Sequence, residues 1–90
     1  MITAETIRYE LTGRFADLYD TMGKNHISVR WEPRPAIARV GMCVEHYNWA
    51  TRMTVMERLL EFEAAHKDDL ALEFDIIPLD AVRDESFAEA

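Results

Sequence analysis

One cysteine in 90 residues, Cys43, leaves the chain without any internal disulfide. A thiol with no partner cannot staple a small secreted fold, so a reducing compartment is expected. Glycine is also scarce, with three residues. Gly13, Gly23 and Gly41 stand alone, which excludes the glycine-rich loops that cradle phosphates. No run of about 18 apolar residues is present, so no membrane-spanning helix and no membrane association are expected. The first residues, Met1-Ile-Thr-Ala-Glu-Thr, lack the basic start and apolar stretch of a signal peptide. The cytoplasm is therefore the expected location.

What is present is the composition of one ordinary globular domain covering residues 1–90, with 49% hydrophobic and 30% charged residues. Net charge is −7, and its distribution is uneven. Residues 1–25 carry four acids and three bases, residues 26–56 two acids and four arginines, and residues 57–90 eleven acids and three bases. The local balances are thus −1, +2 and −8, which sum to the −7 of the whole chain. Overall acidity repels phosphate backbones. The arginine-bearing middle contains no lysine and no basic run, so direct nucleic-acid binding is not expected.

Hydrophobic periodicity orders the chain. Ile7, Leu11, Phe15, Leu18 and Met22 recur at helical steps, predicting one amphipathic helix over residues 4–22, capped by Thr3 and stopped at Gly23. Ile27, Val29 and Trp31 then alternate with His26, Ser28 and Arg30, the two-residue beat of a strand. After the proline-bearing turn at Pro33 and Pro35, a second strand is expected over Ile37–Val44. The competing reading of residues 36–44 is a helix running from Pro35 to about His66, against which Gly41 argues. A long helix is predicted from Trp49 to His66, capped by Asn48. Its expected inward stripe is Trp49, Met53, Met56, Leu60 and Ala64, widened by Val55, Leu59 and Phe62. A last strand, Leu70–Ile77, ends at Pro78. Residues from about 80 to 90 are expected to form a short helix pinned by Val82 and Phe87, or a flexible tail.

The order α-β-β-α-β predicts an α+β fold. A hairpin and a βαβ crossover together make a three-stranded mixed sheet, and two helices cover one of its faces in a two-layer sandwich. The opposite face becomes the candidate functional surface. On the expected registers it gathers Arg30 and Arg39 from the first two strands, Cys43 from the second, and Glu73 and Asp75 from the third. These five are the candidate binding residues. The plainest account of them is a solvated face whose charges pair across strands.

Two chemical readings compete for the same region. Glu73 and Asp75 share a strand face and could hold a divalent cation, yet the third carboxylate and the phosphate-binding nest of such sites are missing. Cys43 and His46 have the spacing of half a zinc site, and a thiolate at Cys43 with His46 or His26 as base is the remaining catalytic option. No cofactor is implied.

With no assigned catalytic motif, the leading expectation is a small acidic, non-catalytic protein that works through protein–protein contact. It would be a homo-oligomer, a dimer first, or an inhibitor- or antitoxin-like partner of a basic protein. The alternative is a small enzyme or metal-binding protein using Cys43, His46 and the open sheet face.

Overall fold

A computed structural model describes residues 1–80. The expected C-terminal helix or tail, with Val82 and Phe87, lies outside the described residues. The observed order is α1 (Ala4–Arg14), a 3-10 turn (Ala16–Leu18), α2 (Tyr19–Met22), β1 (Asn25–Glu32), β2 (Ile37–Val44), α3 (Trp49–Ala65) and β3 (Ala71–Pro78). The strands form one mixed sheet in the order β1-β2-β3, with β1 antiparallel and β3 parallel to the central β2. Residues 37–44 are strand, so the competing long helix does not form.

The sheet has two chemically different faces because side chains alternate along each strand. Ala38, Val40, Met42 and Val44 of β2 are each no more than 3% exposed. They join Ile27 of β1, Ile76 of β3 and the inward residues of all three helices in one cluster. Val29, Trp31, Leu72 and Phe74 extend that cluster as half-buried flanks. The interleaved residues His26, Ser28, Arg30, Glu73 and Asp75 are exposed.

The N-terminal helix begins as the sequence implies. Thr3 caps it, its hydroxyl accepting from the Thr6 amide while the Thr6 hydroxyl accepts from the Thr3 amide. Its continuation to residue 22 is broken, however. At Phe15 the backbone turns to φ −99°, ψ 1°, and Leu18 donates to Phe15 at 2.9 Å instead of reaching back to Arg14. That tightening frees the Arg14 carbonyl. The guanidinium of Arg58, on α3, takes it up at 2.6 Å and also grips Asp17 through two bonds of 2.7 and 2.9 Å. The break lets Phe15, Leu18 and Met22 all enter the core, each at most 8% exposed.

At the far end of α2, Gly23 has φ +71°, and a Cβ there would stand 2.6 Å from the Glu45 carboxylate and 2.8 Å from the His46 ring. Only glycine meets both demands without strain.

Helix α3 starts at the expected cap, with the Asn48 side chain accepting from the Thr51 amide at 2.9 Å. Its inward stripe differs from the expected one. Thr51, Val55, Leu59 and Phe62 are buried, whereas Trp49 is 72% and Leu60 46% exposed. Met53 and Met56 are half-buried and Ala64 is exposed. The flanking residues Val55, Leu59 and Phe62 are thus the centre of the buried face. Two stripes of similar period coexist on this helix, and its docking on the sheet selects between them. Thr51 enters because its hydroxyl finds the Thr21 carbonyl at 3.5 Å, a long contact at the α2 end.

Two predictions follow from this packing. Leu59→Ala is expected to lower unfolding free energy by roughly 2–5 kcal/mol, while Leu60→Ala stays within about 0.5 kcal/mol, as read from urea denaturation. The hydrogen bonds from Arg58 hold the Asp17 carboxyl below its usual range. A depressed folded-state pKa stabilises above the unfolded value, and that share disappears as pH falls through the folded value. Asp17→Asn is therefore expected to flatten the acid limb of a Tm-against-pH curve; an unchanged limb would contradict the Arg58 staple.

Candidate functional site

The open sheet face is organised in cross-strand rows set by the register. Arg30, Arg39 and Glu73 stand side by side, then Ser28, Gly41 and Asp75, then His26, Cys43 and Ile77. Neighbouring strands lie about 4.8 Å apart, so the outer members of each row are separated by roughly 10 Å at the backbone. In the middle row Gly41 contributes no side chain. A shallow depression of about 820 Å³ results, bordered by Ser28, Arg30, Arg39, Glu73 and Asp75 and floored at Gly41. A Cβ at Gly41 would come within 2.7 Å of the Ser28 hydroxyl, so the low point of the floor depends on glycine.

The electrostatics of the first row are built around Arg39. Its neighbour on β1 is another arginine, Arg30, and like charges directly across a strand pair repel. Two carboxylates offset this. Arg39 donates to Glu73 at 2.7 Å across to β3, and also to Glu32 near the end of β1. The bond to Glu73, with the charge of Glu32, raises the Arg39 guanidinium further above its ordinary range. Arg39 is thereby a fixed bracket joining all three strands. Arg30 and Asp75 have no ion-pair partner among the described residues. The depression therefore has one free cation on its β1 side and one free anion on its β3 side, at adjoining levels of the sheet.

Four of the five candidate binding residues, Arg30, Arg39, Glu73 and Asp75, are brought together around this depression. The fifth, Cys43, shares the face but lies one row away and is only 5% exposed. Burial pushes its thiol pKa up, the opposite of what a nucleophile or a metal-bound thiolate requires. His46 lies beyond the end of β2, where its amide donates to the Met22 carbonyl at 2.9 Å and its ring covers Gly23. Glu45 beside it closes the same corner, accepting from the Lys24 amide at 2.9 Å through its side chain. Local backbone packing accounts for this segment. Among the described residues no group of three or more His, Cys, Asp or Glu side chains is placed to hold a metal ion.

Sequence reasoning missed three polar contacts that shape the surroundings. Arg58 on Asp17 is one. In another, His66 meets the Glu10 carboxylate at 2.9 Å while Arg14 holds the same group at 2.9 Å. Burial works to raise the Glu10 pKa, but the bonds from Arg14 and His66 outweigh it and hold it low. The third is the Glu63 carboxylate, which accepts from the Leu72 amide at 2.9 Å on the outer side of β3. Only the Glu10–Arg14 pair, four residues apart on α1, carries a sequence signal; Arg58–Asp17 and His66–Glu10 join residues far apart in the chain, and Glu63 meets a backbone amide.

Compared with known proteins, the chain matches no family model, no curated protein and no solved structure. Among the described residues no helix is long and apolar enough to cross a membrane.

The state of Cys43 is directly measurable. The native protein is expected to react with iodoacetamide well below the rate of a free thiol at mildly alkaline pH, and to reach that rate once unfolded in urea. Fast native labelling with a depressed pKa would revive a reactive role.

Proposed function

We propose that this chain is a non-catalytic binding protein that acts by protein–protein contact, docking a partner rich in basic side chains on its open sheet face. The observation that carries the reading is the depression at Gly41, with Arg39 held between Glu32 and Glu73 while Arg30 and Asp75 have no ion-pair partner among the described residues. A pre-ordered pair of opposite charges, held on strands instead of loops, offers a partner orientation at little ordering cost.

The surrounding charge favours a basic partner. Glu73 and Asp75 on β3 are preceded by two more exposed acids, Asp68 and Asp69, in the turn that leads into the strand. An acidic flank of this kind steers a cationic protein into contact, at a rate that falls with ionic strength. An inhibitor- or antitoxin-like role, in which this chain occupies the basic working surface of another protein, fits that arrangement. The cytoplasm is the compartment that suits a single buried thiol with no disulfide.

The test is affinity capture from the native lysate with wild-type protein and with an Arg30→Glu, Asp75→Lys double variant whose circular dichroism matches wild type. The expected result is a basic protein retained by wild type, released by moderate salt, and lost at least tenfold by the double variant. Equal capture by both proteins, or capture indifferent to salt, would overturn the reading.

A further inference from the structure

The sheet has two edges, and they are not equally protected. On β3 the Ala71 amide donates inward to Ala36 at 2.9 Å, so Leu72, Phe74 and Ile76 point their amides and carbonyls outward by alternation. Glu63 caps the first of those amides, and Pro78 ends the strand. On β1, the Glu45 amide donates to the Lys24 carbonyl at 2.9 Å, which identifies residues 24 and 45 as a bonded pair. Alternation then directs the backbone groups of Asn25, Ile27, Val29 and Trp31 away from β2. Those four residues have no proline among them, and no side chain caps their outward amides among the described residues. Native proteins normally blunt an edge this long.

Beside the same edge runs a groove of about 450 Å³ between the N-terminal helices and β1, its walls including Thr12, Phe15, Tyr19, Met22 and Ile27. Tyr19 on its rim is 60% exposed. At the other end of the strand, Trp31 is half-buried against the core.

We infer that the β1 edge is the dimer interface of this protein, pairing antiparallel with β1 of a second copy about a two-fold axis at Val29. The register follows from which outward-facing residues can be matched. With Val29 opposite itself, Ile27 pairs with Trp31 of the partner and the apolar side chains meet on the helix-covered face. On the open face His26 falls opposite Glu32 of the partner, and Ser28 opposite Arg30 of the partner. Moving the axis to Ser28 would instead set Trp31 of the partner against Asn25, a polar residue that leaves the indole without an apolar counterpart. In the Val29 register, Trp31 of the partner stands opposite Ile27, where the groove lies, so each copy fills the other's groove. The interface is isologous, as a closed dimer requires, and the two sheets become one of six strands with the acidic β3 flanks outermost. This pairing uses the edge of β1 and leaves the open face free, so it stands independently of the partner proposed above.

Sedimentation equilibrium of the full chain across the micromolar range tests it. A mass twice the 10.5 kDa of one chain is expected. Val29→Pro removes the outward amide on the axis while leaving the β1–β2 bonds to its neighbours, and is expected to give a folded monomer. In a Cys43→Ala background, Val29→Cys is expected to oxidise to a covalent dimer, because an antiparallel bonded pair sets Cα atoms about 5.5 Å apart. Ile27→Cys, whose opposite residue is Trp31, is expected to remain uncrosslinked. A monomeric wild type, or equal crosslinking by the two cysteine variants, overturns the proposal. Should Val29→Pro unfold, the cysteine pair decides alone.

Discussion

The alternation of β2 is the constraint on which the rest of the structure depends. Ala38, Val40, Met42 and Val44 are removed from water on one side, and the strand's pleat then compels Arg39, Gly41 and Cys43 to the other. Being central, β2 transmits this division to both neighbours through its antiparallel and parallel ladders. A slip of one residue in either ladder would bring charged side chains into the core. The hydrophobic gain that folds the chain is thus the same event that assembles the charged face.

Around that strand, polar contacts act at places where helix geometry leaves backbone groups unpaired. Arg58 meets the carbonyl released by the break after α1, and Asn48 satisfies the first turn of α3. The first ties α3 to the N-terminal helices across a long stretch of chain, and the second is a local cap. The open face uses the same chemistry differently. Arg39 is held by two carboxylates, while Arg30 and Asp75 have no ion-pair partner among the described residues. Cys43 is the counter-example: it shares the face, but burial and a raised pKa take it out of the chemistry.

The two surfaces divide the work by strand. The open face offers side-chain charge, while the β1 edge offers backbone hydrogen bonds and an apolar groove. In the proposed assembly, edge pairing would orient a second copy through main-chain geometry, and charge on the face would select among partners by sign. Two copies joined at β1 would present two such faces in one continuous sheet, doubling the contacts available to a partner large enough to span them.

Element types and order, and the alternation of faces along each strand, were legible in the amino-acid sequence, because period 2 and period 3.6 are local properties of the chain; the cross-strand pairings were not. Thr3, Asn48 and Gly23 announced their caps for the same reason. The inward stripe of α3 was not legible. Trp49-Met53-Leu60 and Thr51-Val55-Leu59-Phe62 both satisfy a helical period, and only the position of the sheet beneath chose the second. Nor was the break at Phe15, which exists because Arg58, 43 positions further on, satisfies what the break exposes one residue earlier. The depth of Cys43 and the protection of one edge but not the other are likewise products of packing. Local pattern determined what each segment is and which way its residues face. Contacts between distant segments decided which of those faces is shielded and which charges are paired among the described residues.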